Sequence, residues 1–207
     1  MSVLLALWIV GVMPISARPR AKRVVMIALD GISVPGFTTA HTPNLDNLLA
    51  QGALSLTTRV VMPSVTLPNW TSHLTGSGPE QHGVVDNGWQ IDKKGFPAVE
   101  IDKEGYYPSV FKVMKEEIPE CKTAFYYNWI NLFYPYNKKY LDEVSYLEND
   151  AYVPNYEKAF DFIVRNQDLP TLVFLYSVHT DHAGHAHKWM SAEYIHRRGG
   201  YTNRRVY

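Results

Sequence analysis

The sequence predicts a three-layer α/β fold with a mostly parallel central sheet, and three observations carry that expectation. Short continuous apolar runs recur along the chain, each suited to a strand buried on both faces. Stretches with helical apolar spacing lie between them. Two of the runs end in polar clusters, and in open parallel sheets ligands gather outside the carboxyl ends of the strands. No internal repeat or low-complexity segment competes with this order.

The first residues differ from the rest. Val3 to Met13 is nearly all apolar, and Ile15-Ser16-Ala17 supplies small residues before Arg18-Pro19-Arg20. This is the pattern of a signal peptide over residues 1–17, although no positive charge precedes Val3, and it implies an exported protein: periplasmic, extracellular or membrane-anchored. The run is well short of the ~20 residues a spanning helix needs, so no transmembrane span is expected. A buried first strand or an uncleaved anchor is the alternative.

Arg23 to Leu29 is the first strand, expected to be buried on both faces, with Asp30-Gly31 at its carboxyl end. Thr42-Pro43, then Leu45, Leu48 and Leu49, then Gly52 combine an N-cap, a proline at the first helical position, helical spacing and a closing glycine. Ala53 to Met62 has enough β-branched residues for a second strand. Pro63 to Pro68 then turns the chain, with Thr66 in the turn, before a segment carrying Trp70, Leu74 and Gly76.

Val85 to Gly105 is a loop or small hairpin. Val110, Phe111, Met114 and Ile118 mark one face of a helix, and Lys122 to Trp129 form a further strand. Residues 131–154 hold five tyrosines with little periodicity. They read as an excursion from the sheet, either a wall of a substrate pocket or a plain surface insertion. Phe160, Ile163 and Val164 form a helical face, and Leu172 to Tyr176 a buried strand that ends just before the histidine-rich stretch His179 to His187.

Composition excludes some functions. Lys plus Arg and Asp plus Glu balance at 20 each, so no global field recruits nucleic acid or an anionic membrane. An apolar content of 46% with 13% aromatic residues belongs to a folded domain. Cys121 is the sole cysteine, so an intrachain disulfide is impossible and the compartment is left open.

Three places could carry chemistry. Asp181-His182-Ala183-Gly184-His185-Ala186-His187 sets a carboxylate among imidazoles, and Asp181 and His185 share a side if the segment is helical. Such oxygen and nitrogen donors suit zinc, though exposed histidines are more often solvated than ligating. The four histidines of 179–187 cannot all ligate one ion, so some must support, face substrate or stand idle. Asp30 follows a strand, where a carboxylate often only caps a turn. Thr66 is an ordinary alcohol unless activated, and a metal could do that, because a coordinated alkoxide is a strong nucleophile at neutral pH. His73 and His82 are nearby in sequence, where structural roles are the commoner outcome.

Taken as an ordered set, Val25-Met26-Ile27-Ala28-Leu29-Asp30-Gly31, Thr42-Pro43-Asn44-Leu45-Asp46, Thr66-Leu67-Pro68-Asn69, Thr75-Gly76, His82-Gly83-Val84-Val85-Asp86-Asn87 and Asp181-His182-Ala183-Gly184-His185 resemble the nucleotide pyrophosphatase/phosphodiesterase family of the alkaline phosphatase superfamily. The likeness covers roughly residues 23–193. It implies an alkaline-phosphatase-like fold and two zinc ions, with Asp30 and Thr66 on one and Asp181 and His185 on the other. It further implies Thr66 as nucleophile, a phosphoryl-threonine intermediate, and Asn87 holding a non-bridging phosphoryl oxygen. Two zincs roughly 4 Å apart clamp the attacking and leaving oxygens of an in-line displacement. The expected partner is a small phosphodiester or nucleotide-like molecule; oligomeric state is not legible.

The chain departs from the family pattern in two ways. Leu67 stands where nucleotide-cleaving members carry an aromatic residue, and Tyr127, Trp129, Tyr134 and Tyr136 are alternative platforms or mere packing. The downstream Asp-His pair and further histidine that complete the zinc sites have no counterpart after His187. The expected layout is therefore a partial catalytic domain over residues 18–195 and an atypical basic tail over 196–207, from a premature end or, alternatively, as a docking tail. With two protein ligands per zinc, affinity and activity should be poor. A catalytically silent fragment or binding module is one competing expectation. A phosphomonoesterase or sulfatase-like hydrolase is the other; the absence of Cys or Ser at position 66 weighs against a sulfatase, and the lack of a Lys-x-Arg pattern in Thr123 to Leu132 against a monoesterase.

Overall fold

A computed structural model describes residues 22–199 apart from residue 94. The expected signal segment lies outside the described residues, as does most of the 196–207 tail. Four parallel strands form one sheet in the order β1-β4-β2-β3: β1 (Arg23–Leu29), β2 (Lys122–Tyr127), β3 (Glu143–Tyr146) and β4 (Thr171–Ser177). Among the described residues eight α-helices connect and cover them, besides two short 3-10 turns: α1 (Val34–Thr39), α2 (Pro43–Leu49), α3 (Thr66–Thr75), α4 (Pro79–His82), α5 (Val110–Glu117), α6 (Val153–Arg165), α7 (His179–His187) and α8 (Ala192–Gly199).

The strand alternation of β2 and β4 sends side chains to two separate cores. Phe125, Tyr127, Leu172, Phe174 and Tyr176 pack on one face with Leu67 and Leu74 of α3 and Phe111 of α5. Ala124, Tyr126, Val173 and Leu175 pack on the other with Ala159 and Phe162 of α6. Helices therefore lie on both faces of a parallel sheet, which is the three-layer arrangement expected.

Four expectations about elements change. β1 is not buried on both faces: among the described residues it is an edge strand, and Val24, Val25 and Ile27 are exposed because none of those residues covers them. Ala53 to Met62 forms no strand and runs exposed. Its β-branched residues find no pleated surface to pack on, and strand propensity is mostly such packing. Its end is held instead by Asn69, whose Oδ1 accepts from Val61 N at 2.8 Å and whose Nδ2 donates to Val65 O at 2.8 Å. Residues 131–154 contain an unforeseen strand, β3, paired to β2. Thr66 is the first residue of α3 rather than a turn residue.

Candidate active site

The carboxyl ends of β1, β4 and β2 meet at one edge of the sheet. The Asp30 backbone N–H donates to Ser177 O at 3.0 Å, and Asn128, just past β2, accepts from Val178 N at 3.0 Å. Gly31 then turns with φ +70°, and a methyl group built on it would lie 2.5 Å from the Asp181 Cα. A side chain is excluded there twice, by backbone conformation and by space. The bare Gly31 lets the loop after β1 press against the first turn of α7, where Asp181 sits. Tyr194 of α8 secures the same loop: its hydroxyl donates to Gly31 O at 2.8 Å and accepts from Ser33 N at 3.0 Å.

The result is a pair of carboxylates at close quarters. Burial, followed by the charge of Asp30, raises the Asp181 carboxyl above its ordinary range, with His185 and His182 pulling the other way. His185 stands one helical turn beyond Asp181, Nε2 3.6 Å from its Oδ1, so the helical spacing does put both on one side. Asp30 holds its own carboxylate with two bonds, Oδ1 accepting from Gly31 N at 2.9 Å and Oδ2 from the Tyr176 hydroxyl at 2.6 Å.

The second group of candidate residues stands at the start of α3. Asn87 Oδ1 accepts from Leu67 N at 2.8 Å, which satisfies one of the amides left over at a helix N-terminus and fixes Asn87 beside Thr66. With Oδ1 so committed, the Asn87 Nδ2 donors are the part of the side chain that can meet an anion. Asn131 in turn donates to Asn87 O at 2.8 Å, so the tyrosine-rich excursion does touch the site. The aromatic residues weighed as stacking platforms contribute packing: Tyr127 and Tyr136 are core residues, and Trp129 and Tyr134 lean on the same core.

Other histidines have structural employment. His82 is buried, its Nδ1 accepting from Val84 N at 3.0 Å and its Nε2 facing Ser72 Oγ at 3.0 Å; burial lowers its pKa to about 4 against the opposing charge of Glu80. His73 Nδ1 pairs with Asn69 O, and His182 Nδ1 lies 2.7 Å from Asp150 Oδ1. His179 is buried between Ser177 and Thr180.

Sequence reasoning missed Tyr176, Gly31 and Asn131 as site-building residues. The glycine had a signal, since Asp-Gly after a buried run marks a turn that needs a left-handed residue. Tyr176 had a weaker one: a phenol closing an apolar strand must find a partner when buried. Asn131 had none.

The donors at this sheet edge suit a divalent cation in kind. Asp30, Asp181 and His185 offer oxygen and nitrogen donors of the sort zinc takes, and Thr66 adds an alcohol at the start of α3. In number they are fewer: no group of three or more His, Cys, Asp or Glu side chains among the described residues is arranged to hold a metal.

Asp30, Asp181 and His185 thus stand at the carboxyl ends of parallel strands, and Thr66 and Asn87 come together at the start of α3. The chain belongs to the type I phosphodiesterase / nucleotide pyrophosphatase family, whose model matches residues 24–198. It is 25% identical over 194 residues to an uncharacterised pyrophosphatase/phosphodiesterase of Schizosaccharomyces pombe, covering 79% of this chain and 35% of that protein. It is 35% identical over 66 residues to mouse ectonucleotide pyrophosphatase/phosphodiesterase family member 3, covering 31% of this chain and 8% of that one. The fold is similar to that of murine ectonucleotide pyrophosphatase/phosphodiesterase 5, solved as an inactive threonine-to-alanine form in complex with AMP, with TM-score 0.66, 17% identity, and coverage of 86% of this chain and 50% of that one. The human counterpart gives the same score and identity. The chain thus spans about half of the solved relatives and about a third of the fission-yeast one. The alkaline-phosphatase-like fold and the family expected from the sequence are both borne out.

Proposed function

We propose that this chain carries the nucleophile half of a zinc-dependent site that hydrolyses phosphodiester or pyrophosphate bonds of a small, nucleotide-like substrate through a phosphoryl-threonine intermediate. One observation carries the proposal: the Asn87 amide is tied to the backbone of Leu67, which sets a neutral phosphoryl donor next to the Thr66 hydroxyl at the start of a ten-residue helix. A donor of that kind stabilises charge developing on a phosphoryl oxygen without the reorganisation that water would need. Asn87 adds no charge, which matches a diester's single negative charge better than a monoester's two. The solved relative inactivated by a threonine-to-alanine change supports a threonine in this role.

Asp30 with Thr66 would hold one zinc, and Asp181 with His185 the other. Bound zinc supplies Lewis acidity, lowering the pKa of an alcohol or water so that it attacks phosphorus at neutral pH. The chain's own residues do the rest. Thr66 Oγ1 forms a bond to phosphorus as the bond to the leaving oxygen breaks in line, giving the covalent threonine ester, and water later displaces threonine from the opposite side. Asn87 steadies a non-bridging oxygen in both steps. Export, directed by residues 1–17, belongs to the same proposal.

The test is hydrolysis of a chromogenic phosphodiester, with zinc bound per chain measured in parallel. Thr66→Ala should abolish turnover and weaken the zinc that Asp30 and Thr66 would share, while zinc held by Asp181 and His185 should be retained. Equal rates for Thr66→Ala and the parent chain would remove Thr66 from the chemistry. A second reading has its own support: with fewer than three such donors assembled among the described residues, the chain could bind a phosphoester without turning it over. Less than one zinc per chain together with AMP binding and no hydrolysis would establish that outcome.

A further inference from the structure

We infer that Tyr176 is a positioning residue that aims the Asp30 carboxylate and ties it to the helix bearing Thr66; the inference deepens the proposed zinc site and rests on it. Tyr176 is opposite Ala28 in the β1-β4 register, so Asp30, two residues further on, projects to the same face of the sheet. Ala28 is small, which leaves the phenol a path along that face to Asp30. Its hydroxyl donates to Oδ2 at 2.6 Å, while Gly31 N occupies Oδ1 at 2.9 Å. Two donors on two oxygens fix the rotation of the carboxylate about its χ angles and leave its remaining lone pairs to face outward, as a metal-binding carboxylate requires.

The ring is held as firmly as its hydroxyl. Tyr176 is 1% exposed, and the Trp70 ring meets it edge to face at 5.7 Å and 86°. Trp70 also packs against Phe174, the next residue on that face of β4, at 6.1 Å. Trp70 lies four residues after Thr66 in α3, hence on the same side of the helix one turn along. A contact path therefore runs from Asp30 through Tyr176 and Trp70 to the helix turn that carries Thr66. It links two side chains from distant parts of the sequence that the proposed chemistry needs on one cation.

The experiment is zinc titration of the full chain against a chromogenic competing chelator, with unfolding temperature in EDTA as the metal-free readout. Asp30→Asn and Asp181→Asn first define which binding event belongs to which residue. Tyr176→Phe should weaken the Asp30-dependent event about tenfold or more, the size typical of losing a hydrogen-bond partner to a metal ligand. It should leave the Asp181-dependent event unchanged and the metal-free unfolding temperature close to the parent's. Unchanged affinity, or both events weakening together with the unfolding temperature, would overturn the inference in favour of plain core packing. Should Tyr176→Phe not fold, Trp70→Leu removes the ring's support while keeping the hydroxyl; it should weaken the same event by a smaller factor, and no change there also overturns the inference. A parent chain that binds no zinc overturns the zinc site itself and this inference with it, a result distinct from zinc bound equally by parent and variant.

Discussion

β1 and β4 are neighbours with nearly the same sequence character, seven residues each of mostly branched and aliphatic side chains, yet only one of them is buried. In register, Val25 is 43% exposed where Val173 is 0%, and Ile27 is 61% exposed where Leu175 is 6%. β4 has a strand on each side, helices on each face, and every residue buried. Among the described residues β1 has one neighbouring strand. An apolar run thus reports what a strand is suited to pack against, while its place in the sheet decides how much of that packing is realised. The same contrast divides the site: Tyr176 and the α7 residues that follow β4 are anchored from a central strand, whereas Asp30 extends from an edge and depends on borrowed supports, Gly31 against Asp181 and the Tyr176 hydroxyl.

The largest effect that would test this contrast is in β4. Phe174→Ala empties a fully buried position that meets Phe125 at 4.8 Å and Trp70 at 6.1 Å. It should cost about 3–5 kcal/mol in urea denaturation. A cost under about 1 kcal/mol would mean that β4 does not organise the core. Next in size is the acid limit set by His82. A folded-state pKa lowered to about 4 means that the unfolded chain binds the proton more readily, so stability is fully present above about 6.5 and declines as pH falls toward 4. Unfolding midpoints measured from pH 7 to 4 should fall across that window, and His82→Gln should flatten the decline; a profile identical to the parent's would show that His82 is not the group responsible.

A smaller effect belongs to the edge side of the site. Gly31→Ala places a methyl group against the Asp181 backbone at positive φ, a combination costing on the order of 1–2 kcal/mol. Because the clash separates Asp30 from Asp181, phosphodiester turnover should fall further than stability alone accounts for. Equal losses in Gly31→Ala and in an unrelated variant of matched stability would break the claimed link between that close approach and function.

How much of this was legible follows from where the information lies. β2, β4, α5 and α6 were readable because periodicity and burial agree in them. The missing strand at 53–62 was not, because whether a β-branched segment pairs depends on a neighbour that local sequence does not name. β3 was hidden by the tyrosines around it, which serve the core rather than a pattern along the chain. That Asp181 and His185 share one side of α7 was legible from helical spacing alone. The link of Asn87 to Leu67 joins residues 20 apart, and that of Tyr176 to Asp30 joins residues 146 apart; no local rule predicts either. Motif order marked those residues as a set, but only the folded sheet shows what each one touches.

The smallest expected effect on stability is the most direct test of the edge. Ile27→Lys replaces a side chain that is 61% exposed, so little buried area is lost and the urea midpoint should shift by under about 0.5 kcal/mol equivalent. Association should respond far more. An edge strand offering Val24, Val25 and Ile27 presents both apolar surface and a row of backbone groups able to pair with another chain, and a lysine on such an edge opposes that pairing by charge and by desolvation cost. Light scattering over a concentration series should therefore show less self-association for Ile27→Lys than for the parent, whereas Leu175→Lys, the register partner in β4, should simply unfold. If Ile27→Lys unfolds the chain as Leu175→Lys does, β1 is covered in solution and the difference between the two strands disappears. If it leaves both stability and association unchanged, the edge is open but inert, and exposure there carries no tendency to recruit a neighbouring strand.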